Sequence, residues 1–194
     1  MKKVLKKLPL LILALVLVLA IKDKTYAATY GDLTYEVQND GTIKITDCDG
    51  NASGALTIPS TIGGKKVTSI GYHAFYDGSS LTSITIPEGV TSIDSYAFDD
   101  CSSLTSINVS ENNKNYCSVD GVLFNKDKTE LIQYPIKKEG TSYKIPNSVT
   151  SIGDSAFRRC KNLTSITIPE GITSIGYDAF YMCSSLTSIN VSEN

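Results

Sequence analysis

One long stretch of sequence occurs twice in this chain with little change, and this repetition constrains the fold more than any other feature. The first copy, LTSITIPEGVTSIDSYAFDDCSS at residues 81–103, agrees with the copy at residues 163–185 in 17 of 23 positions. A fixed period of this length is typical of a solenoid, in which each repeat forms one coil. A single coil cannot bury its own apolar side, so neighbouring coils must stack to complete a core.

The apolar positions of the repeat predict which side of each coil faces the interior. Seven apolar residues of the first copy recur at the matching places of the second copy: Leu81, Ile84, Ile86, Ile93, Ala97, Phe98 and Cys101. Five of the six positions that differ lie around the Ala-Phe pair, where they exchange Asp, Ser, Tyr, Gly and Met. Stacking explains this contrast, because interior side chains contact the next coil and outer-edge side chains do not.

Within one copy, the pattern predicts two short strands and a turn. Residues 83–86 alternate polar and apolar, which indicates a strand with its two isoleucines inward. Pro87 ends this strand, because proline cannot donate a hydrogen bond to a neighbouring strand. Residues 90–93 form a second extended piece, and we expect residues 95–101 to make a tight helical turn.

The full pattern, L-x-x-I-x-I-P-x-x-[VI]-x-x-I-G-x-x-A-F-x-x-C-x-x-L, resembles that of the BspA-like (treponemal-type) leucine-rich repeat family. The resemblance covers the chain from about residue 56 to its end, in four copies. It implies a β-rich solenoid, a right-handed leucine-rich repeat array of 23-residue coils. Members of that family are bacterial surface proteins that act in adhesion to host matrix proteins or to other cells, so the resemblance also implies an extracellular binding role.

Residues 1–27 are predicted to be a secretory signal peptide. Four lysines precede an apolar run of 14 residues at 8–21, and Thr25-Tyr26-Ala27 suits cleavage after Ala27. The run is shorter than the ~20 residues of a spanning helix, which favours a cleaved signal over a membrane anchor. We therefore expect a secreted or cell-surface protein, with no membrane insertion after cleavage.

Charge argues against two classes of partner. Residues 1–27 carry six lysines and one aspartate, so the rest of the chain has 12 basic and 19 acidic residues. This excess of acid disfavours binding to nucleic acid and to anionic lipid. The expected partner is an extracellular protein or a cell-surface glycan.

The remainder divides into a predicted N-terminal β-hairpin cap, residues 28–55, and leucine-rich repeats, residues 56–194. The cap is predicted from alternating residues at 33–37 and 43–45 around an Asn-Asp-Gly turn. An atypical terminal unit of this kind can cover the open end of a solenoid. In the first coil, the turn at residues 60–66 is five residues longer than its counterpart in the next coil.

The third coil departs from the period. Residues 104–162 occupy more than twice the length of a regular coil, which predicts an insertion at about 110–142 with a hairpin around residues 125–129. A V-D-G-V-L-F insertion of this kind is typical of the family that the chain resembles. The final residues 192–194 repeat Ser-Glu-Asn of residues 110–112 with no polar cap, so we expect a truncated C-terminus.

The candidate chemical groups indicate a non-catalytic protein without cofactor or metal. His73, the only histidine, falls at a variable repeat position and is predicted to be exposed, which argues against Ser-His-Asp and Cys-His catalysis. Cys101, Cys160 and Cys183 share one repeat position, so they are predicted to be small, buried, apolar residues. A disulfide bridge between Cys160 and Cys183 is the alternative. The five cysteines are Cys48, Cys101, Cys117, Cys160 and Cys183. Their spacing contains no zinc-binding pair.

Two surfaces are candidates for ligand binding. The tyrosine edge consists of exposed rings at the variable positions beside the Ala-Phe pair, and such rings provide contact area for protein or sugar partners. Its members are Tyr72, Tyr76, Tyr96, Tyr177 and Tyr181. The alternative is the strand face, a predicted row of outward side chains along the first strands: Thr57, Thr85, Asn108, Lys144, Thr167 and Asn190.

These features lead to one functional hypothesis and one alternative. The first is a secreted or cell-surface leucine-rich repeat protein that mediates protein–protein or cell adhesion without catalysis. The alternative is a non-catalytic targeting or glycan-binding module of a larger secreted enzyme. The fold does not identify the ligand, because one architecture hosts many functions.

Overall fold

The computed structural model describes residues 27–192, and within that range every regular element is a β-strand. The strands build a β-solenoid of about seven turns with a coil spacing close to the sequence period. Their bounds are β1 (Ala28–Tyr30), β2 (Leu33–Val37), β3 (Ile43–Cys48), β4 (Ser53–Thr57), β5 (Thr61–Ile62), β6 (Lys65–Ile70), β7 (Ser80–Ile86), β8 (Ser92–Ile93), β9 (Ser106–Val109), β10 (Tyr116–Val119), β11 (Val122–Asn125), β12 (Glu130–Gln133), β13 (Ser142–Lys144), β14 (Ser151–Ile152), β15 (Ser165–Pro169), β16 (Ser174–Ile175) and β17 (Ser188–Ser192). The predicted signal peptide lies outside the described residues except for Ala27.

Coils 1 to 5 each contribute a first strand and a second strand, and the second strand has only two residues in coils 2, 4 and 5. Coils 1, 2 and 3 begin with β4, β7 and β9, which pair in parallel, and coils 4, 5 and 6 begin with β13, β15 and β17, which pair in the same way. The register follows the sequence period, since Ser83 lies opposite Ser106 and Ser165 opposite Ser188. Residues that face each other on neighbouring first strands are therefore one repeat length apart in the sequence.

Threonines at the corner before several strands hold this register. The hydroxyl of Thr105 donates to the carbonyl of Thr82, 2.9 Å away, and Thr187 donates to Thr164 across 3.1 Å. In both pairs the acceptor lies one repeat length before the donor. Because the partner is always the residue one coil earlier, a slip in register would break the whole series.

The Ala-Phe segment is a series of turns, so the predicted helical turn at residues 95–101 is wrong. The residue before each Ala and the residue four places later have positive φ, which interrupts any helical run. These residues are His73 and Asp77, Tyr96 and Asp100, Ser155 and Arg159, and Asp178 and Met182. Backbone N–H groups here bond to the neighbouring coil, as Phe75 does to the carbonyl of Ala97 at 2.8 Å.

The aromatic rings of the core form two ladders. Phe75 stacks on Phe98 with ring centroids 5.6 Å apart, and Phe157 stacks on Phe180 at 5.2 Å. Phe75, Phe98 and Phe157 are buried, whereas Phe180 is only half-buried because its outer face has no following ring among residues 27–192. The sequence pattern predicts that the four repeat phenylalanines stack as one ladder, each nearly fully buried. Burial is confirmed for three of them, but the rings form two separate stacks.

The long segment at residues 104–162, predicted as a third coil with an insertion before the period resumes at residue 143, contains two coils. Tyr134 stacks on Phe157 with centroids 5.2 Å apart and occupies the place of the missing phenylalanine, one repeat length before Phe157. β12 pairs in parallel with β14, as second strands of neighbouring coils do. The later part of coil 3 therefore lies within the segment predicted as an insertion, and its Gln-Tyr-Pro sequence lacks the Ala-Phe pair that marks other coils.

The inserted part of coil 3 has one strand more than predicted. β10 and β11 form an antiparallel hairpin closed by Asp120-Gly121, whose φ angles of 48° and 76° are those of a tight two-residue turn. β11 continues into the predicted pairing with β12. Buried Asn113 anchors the insertion, since its side-chain N–H groups donate to the carbonyls of Pro87 and Val90.

At the N-terminus, β1, β2 and β3 form an antiparallel meander. β3 then pairs in parallel with β6 of coil 1, which attaches the meander to the solenoid. The longer turn of coil 1 is a small hairpin, β5 with β6, around Gly63-Gly64. Among the residues described, no helix has the length and apolar character needed to cross a bilayer.

Candidate functional site

Four aromatic side chains meet at the outer edge of coils 1 and 2. The ring of His73 stacks on Tyr72 with centroids 4.0 Å apart and lies 4.8 Å from Tyr76. Tyr96 contacts the cluster edge-on, 5.7 Å from Tyr72 and 5.9 Å from His73. The tyrosine edge is therefore a packed aromatic surface at this end, and His73 is part of it although the sequence did not suggest so.

Backbone geometry explains why these rings face outward. Ala74 and Phe75 are fully buried, so the residues on either side project away from the core. Tyr72 is 58% exposed and Tyr76 is 47% exposed. His73 is only half-buried, a correction to its predicted exposure, because two tyrosine rings cover its faces.

Arg158 joins this cluster to Tyr181 of coil 5. Its guanidinium lies 4.8 Å from the ring centroid of Tyr181 and 5.9 Å from that of Tyr96. The same group forms ion pairs with Asp178 at 2.7 Å and with Asp99 at 3.0 Å. A cation over an aromatic face is attracted by the ring quadrupole, so the arginine links rings from coils that are not adjacent in sequence.

The remaining tyrosine of the edge stands apart from these contacts. Tyr177 is 73% exposed, and its backbone N–H donates to the side-chain oxygen of Asp154 at 2.7 Å. Its ring makes no aromatic contact within the described part of the chain. The five predicted residues thus lie as a cluster of three in coils 1 and 2 and a pair in coil 5.

Some variable positions serve the fold and are not free for recognition. Coil 2 has Asp99 and Asp100 where coil 4 has Arg158 and Arg159, and each acid pairs with the arginine at its own repeat position. The four residues form ion pairs across the gap between coils 2 and 4, where coil 3 lacks the usual turn.

The strand face consists of two rows of three residues, whereas one row of six was predicted. Thr57, Thr85 and Asn108 lie opposite one another on β4, β7 and β9. The second row, on β13, β15 and β17, is Lys144, Thr167 and Asn190. The inserted hairpin separates the rows, because the outer edge of β9 bonds to it through Ile107 N–H and Gly121 O at 2.8 Å.

A cleft of about 150 Å³ opens on the side of the second strands, where β8 and β12 are not paired. Its walls carry the carboxylates of Asp94, Glu130 and Asp154, and the buried amide of Gln133 forms part of its lining. Asp94 is already paired with Lys44 at 2.7 Å. The sequence signal for this cleft was the loss of the Ala-Phe pair in coil 3, which we interpreted only as an insertion.

The repeat cysteines act as packing groups. The thiol of Cys101 donates to the carbonyl of Phe75 at 3.0 Å, and that of Cys183 donates to the carbonyl of Phe157 at 2.9 Å, in each case a residue of the preceding coil. Burial raises the pKa of the Cys101 thiol to about 12 and raises the pKa of Cys160 well above its ordinary value. All five cysteines are free thiols in this structure.

Raised pKa values keep these thiols protonated at neutral pH, and a protonated thiol is a poor nucleophile. Within residues 27–192 there is also no group of three or more His, Cys, Asp or Glu side chains placed to hold a metal ion. The described outer edge carries aromatic rings and ion pairs.

Comparison with known proteins agrees with this architecture. A family model described as "BspA type Leucine rich repeat region" matches residues 54–137 and 133–194, in six copies. No curated protein matches the chain. Proteins of this family are generally non-catalytic binding modules and are typically found at the surface of bacteria or secreted.

Several solved structures are similar to the chain. The pneumococcal vaccine antigen PcpA is 22% identical with a TM-score of 0.56, over 86% of this chain and 70% of that one. A leucine-rich repeat protein from T. pallidum is 24% identical with a TM-score of 0.53, over 84% of this chain and 71% of that one. A leucine-rich cell surface protein from Faecalibacterium prausnitzii is 22% identical with a TM-score of 0.51, over 88% and 77%. At these identities the likeness shows the fold.

Proposed function

Because the chain belongs to the BspA-type leucine-rich repeat family, we propose that it is a secreted or cell-surface protein that mediates adhesion through its tyrosine edge. The partner would be an extracellular protein or a cell-surface glycan. One similar solved structure is itself named a cell surface protein, which supports the location. The fold is that of a non-catalytic interaction module.

The exposure of the tyrosine edge is the observation that carries this proposal. Four of its rings are between 47% and 73% exposed: Tyr72, Tyr76, Tyr177 and Tyr181. Exposed tyrosines favour binding because they offer a large, rigid contact area and a hydroxyl group at little cost in side-chain entropy. His73 and Arg158 contact neighbouring rings and restrict their rotamers, so less side-chain entropy is lost when a ligand binds.

The strand face supports adhesion less well. Its longest uninterrupted row has three residues, and two of the six, Thr85 and Thr167, are only half exposed. Solenoids that bind through a strand face use an extended continuous surface. The inserted hairpin interrupts such a surface here.

Substitution tests the proposal directly. The full chain would be assayed for binding to immobilised extracellular-matrix proteins and to a panel of surface glycans. We expect Tyr72→Ala with Tyr76→Ala, and separately Tyr177→Ala with Tyr181→Ala, to weaken binding at least tenfold while the thermal midpoint changes little. The strand-face pair Thr85→Arg with Thr167→Arg should change binding less than threefold. Loss of binding in that pair alone would refute the edge assignment.

Export is tested independently of binding. We expect the protein recovered from the medium or surface of the producing cells to begin at Ala28, because Thr25-Tyr26-Ala27 suits signal-peptide cleavage. N-terminal sequencing measures this start. A protein that stays inside the cell and still carries residues 1–27 would contradict the proposed location.

A further inference from the structure

A second cavity, which we call the junction cavity, lies where the turns of coils 2 and 4 meet. It has a volume of about 150 Å³ and is lined by side chains that include Asp100, Lys137, Arg159 and Lys161. Coil 3 creates it, because Gln133 and Tyr134 lead directly into a short connection without the usual turn. Arg159 crosses the resulting gap to pair with Asp100.

The backbone around the junction cavity is well held. The N–H of Lys137 donates to the carbonyl of Leu104 at 2.8 Å, which ties the short connection to the residues just before β9. The N–H of Arg159 donates to the carbonyl of Tyr181 at 2.8 Å, which ties the other wall to coil 5. The two walls therefore belong to neighbouring coils whose spacing the solenoid sets.

The charge of this cavity is opposite to that of the chain. Three cations and one carboxylate line it, whereas the chain after residue 27 has 12 basic and 19 acidic residues. In the part of the chain that the structure describes, the side chains of Lys137 and Lys161 make no ion pair. Two uncompensated ammonium groups on one small concavity attract an anion.

One of the side chains that line the cavity has a buried donor without an acceptor. The Nε atom of Arg159 is buried and has no hydrogen-bond partner in the described residues, although the same guanidinium pairs with Asp100 through Nη1. Guanidinium groups bind carboxylate and sulfate-like oxyanions with paired hydrogen bonds.

We propose that the junction cavity binds the carboxylate or sulfate group of an acidic saccharide. Besides its charged groups, the cavity is lined by the hydroxyl of Ser102, the amide of Asn162 and the apolar side chain of Ile136. Hydroxyl and amide groups hydrogen-bond to sugar hydroxyls, and the cavity is smaller than the ~300–1,000 Å³ of pockets for larger ligands. The site does not require the tyrosine edge, so either proposal can fail alone.

The test uses binding of defined oligosaccharides to the full chain by isothermal titration calorimetry at 0.15 M salt. The probes are a sulfated octasaccharide, a uronate octasaccharide without sulfate, and a neutral glucan of equal length. We expect one of the two acidic probes to bind and the neutral glucan not to bind. The double variant Lys137→Gln with Lys161→Gln should lose affinity at least tenfold.

The matched control is Lys65→Gln with Lys66→Gln, which makes the same change in net charge on the exposed hairpin of coil 1. It should change affinity less than twofold. Equal loss in the two double variants would mean diffuse electrostatic attraction and would overturn the proposal. Failure of both acidic probes to bind would also overturn it.

Two further arms identify the ligand class. If free sulfate competes with the octasaccharide when its concentration equals that of the anionic groups on the octasaccharide, the saccharide assignment is wrong. If an acidic peptide such as oligoglutamate binds as tightly and with the same dependence on Lys137 and Lys161, the saccharide assignment is likewise overturned. The variant Tyr72→Ala with Tyr76→Ala should bind the octasaccharide normally, and a tenfold loss there would refute the assignment to the junction cavity.

Discussion

Replacement of Phe157 by alanine should be among the most destabilising single changes in this solenoid. The ring is fully buried and lies between Tyr134 and Phe180, with both centroids 5.2 Å away. Emptying a buried phenylalanine site typically costs about 3–5 kcal/mol. Stacked aromatic pairs contribute about 0.5–1.5 kcal/mol beyond burial, and two such pairs are lost here, so we expect a loss of about 5 kcal/mol.

Phe180 provides the matched control, because it is the same residue at the same repeat position one coil later. It is half-buried and stacks on one ring only. With one pair lost and part of the side chain already in water, Phe180→Ala should cost about 2 kcal/mol. The difference between the two variants, about 3 kcal/mol, isolates the effect of position in the stack.

Urea unfolding followed by far-ultraviolet circular dichroism measures both losses as shifts in midpoint at an unchanged slope. A change in slope would indicate that the terminal coils unfold separately, as repeat arrays can. The reasoning is refuted if Phe157→Ala alters the free energy of unfolding by less than about 0.5 kcal/mol, which is typical of surface sites. It is also refuted if the two variants cost the same.

Three other outcomes are expected. Mass spectrometry of the folded protein should find the repeat cysteines as thiols, and a linked peptide joining Cys160 and Cys183 would contradict their role as packing groups. The free energy of unfolding should fall as pH rises from about 9 towards 12. Burial raises the pKa of Cys101 to about 12 in the folded protein, so the unfolded chain releases that proton at lower pH. Denaturation curves of Cys101→Ala should show a smaller fall over the same pH range. Arg158→Gln should cost about 3 kcal/mol in urea unfolding, because it leaves the buried carboxylate of Asp99 without its partner, and adding Asp99→Asn should recover part of that loss.

Much of the fold could be predicted because it repeats. The inward positions of one coil recur in the next, so residues such as Ile84 and Phe98 are identified as core by comparing the chain with itself. The end of the first strand before Pro87 follows from proline's missing N–H. The helical turn was wrong because residues with positive φ interrupt it and N–H groups such as that of Phe75 bond to the next coil, and no local pattern reports either feature.

The candidate site was predicted only in part. The tyrosines could be assigned to the variable edge, but their division into a cluster and a pair depends on which coils are neighbours in space. His73 belongs to the cluster because Tyr72 and Tyr76 cover its ring. No other coil has a histidine at this position, so comparing the coils could not predict the contact. The cavities on either side of coil 3 arise from a missing turn, which sequence periodicity records merely as extra length.

The sequence by itself determined the coil, its period and its interior, because each depends on residues that recur one repeat apart. Only the tertiary structure decided how the array continues past the insertion. Arg158 of coil 4 meets Asp99 of coil 2, and Tyr134 takes the place of a phenylalanine that the pattern lacks. Arg158 and Asp99 are separated in the sequence by a number of residues that is not a multiple of the repeat length. Tyr134 stands where the repeat pattern has phenylalanine. Both depend on the folded geometry, so neither leaves a periodic signal in the sequence.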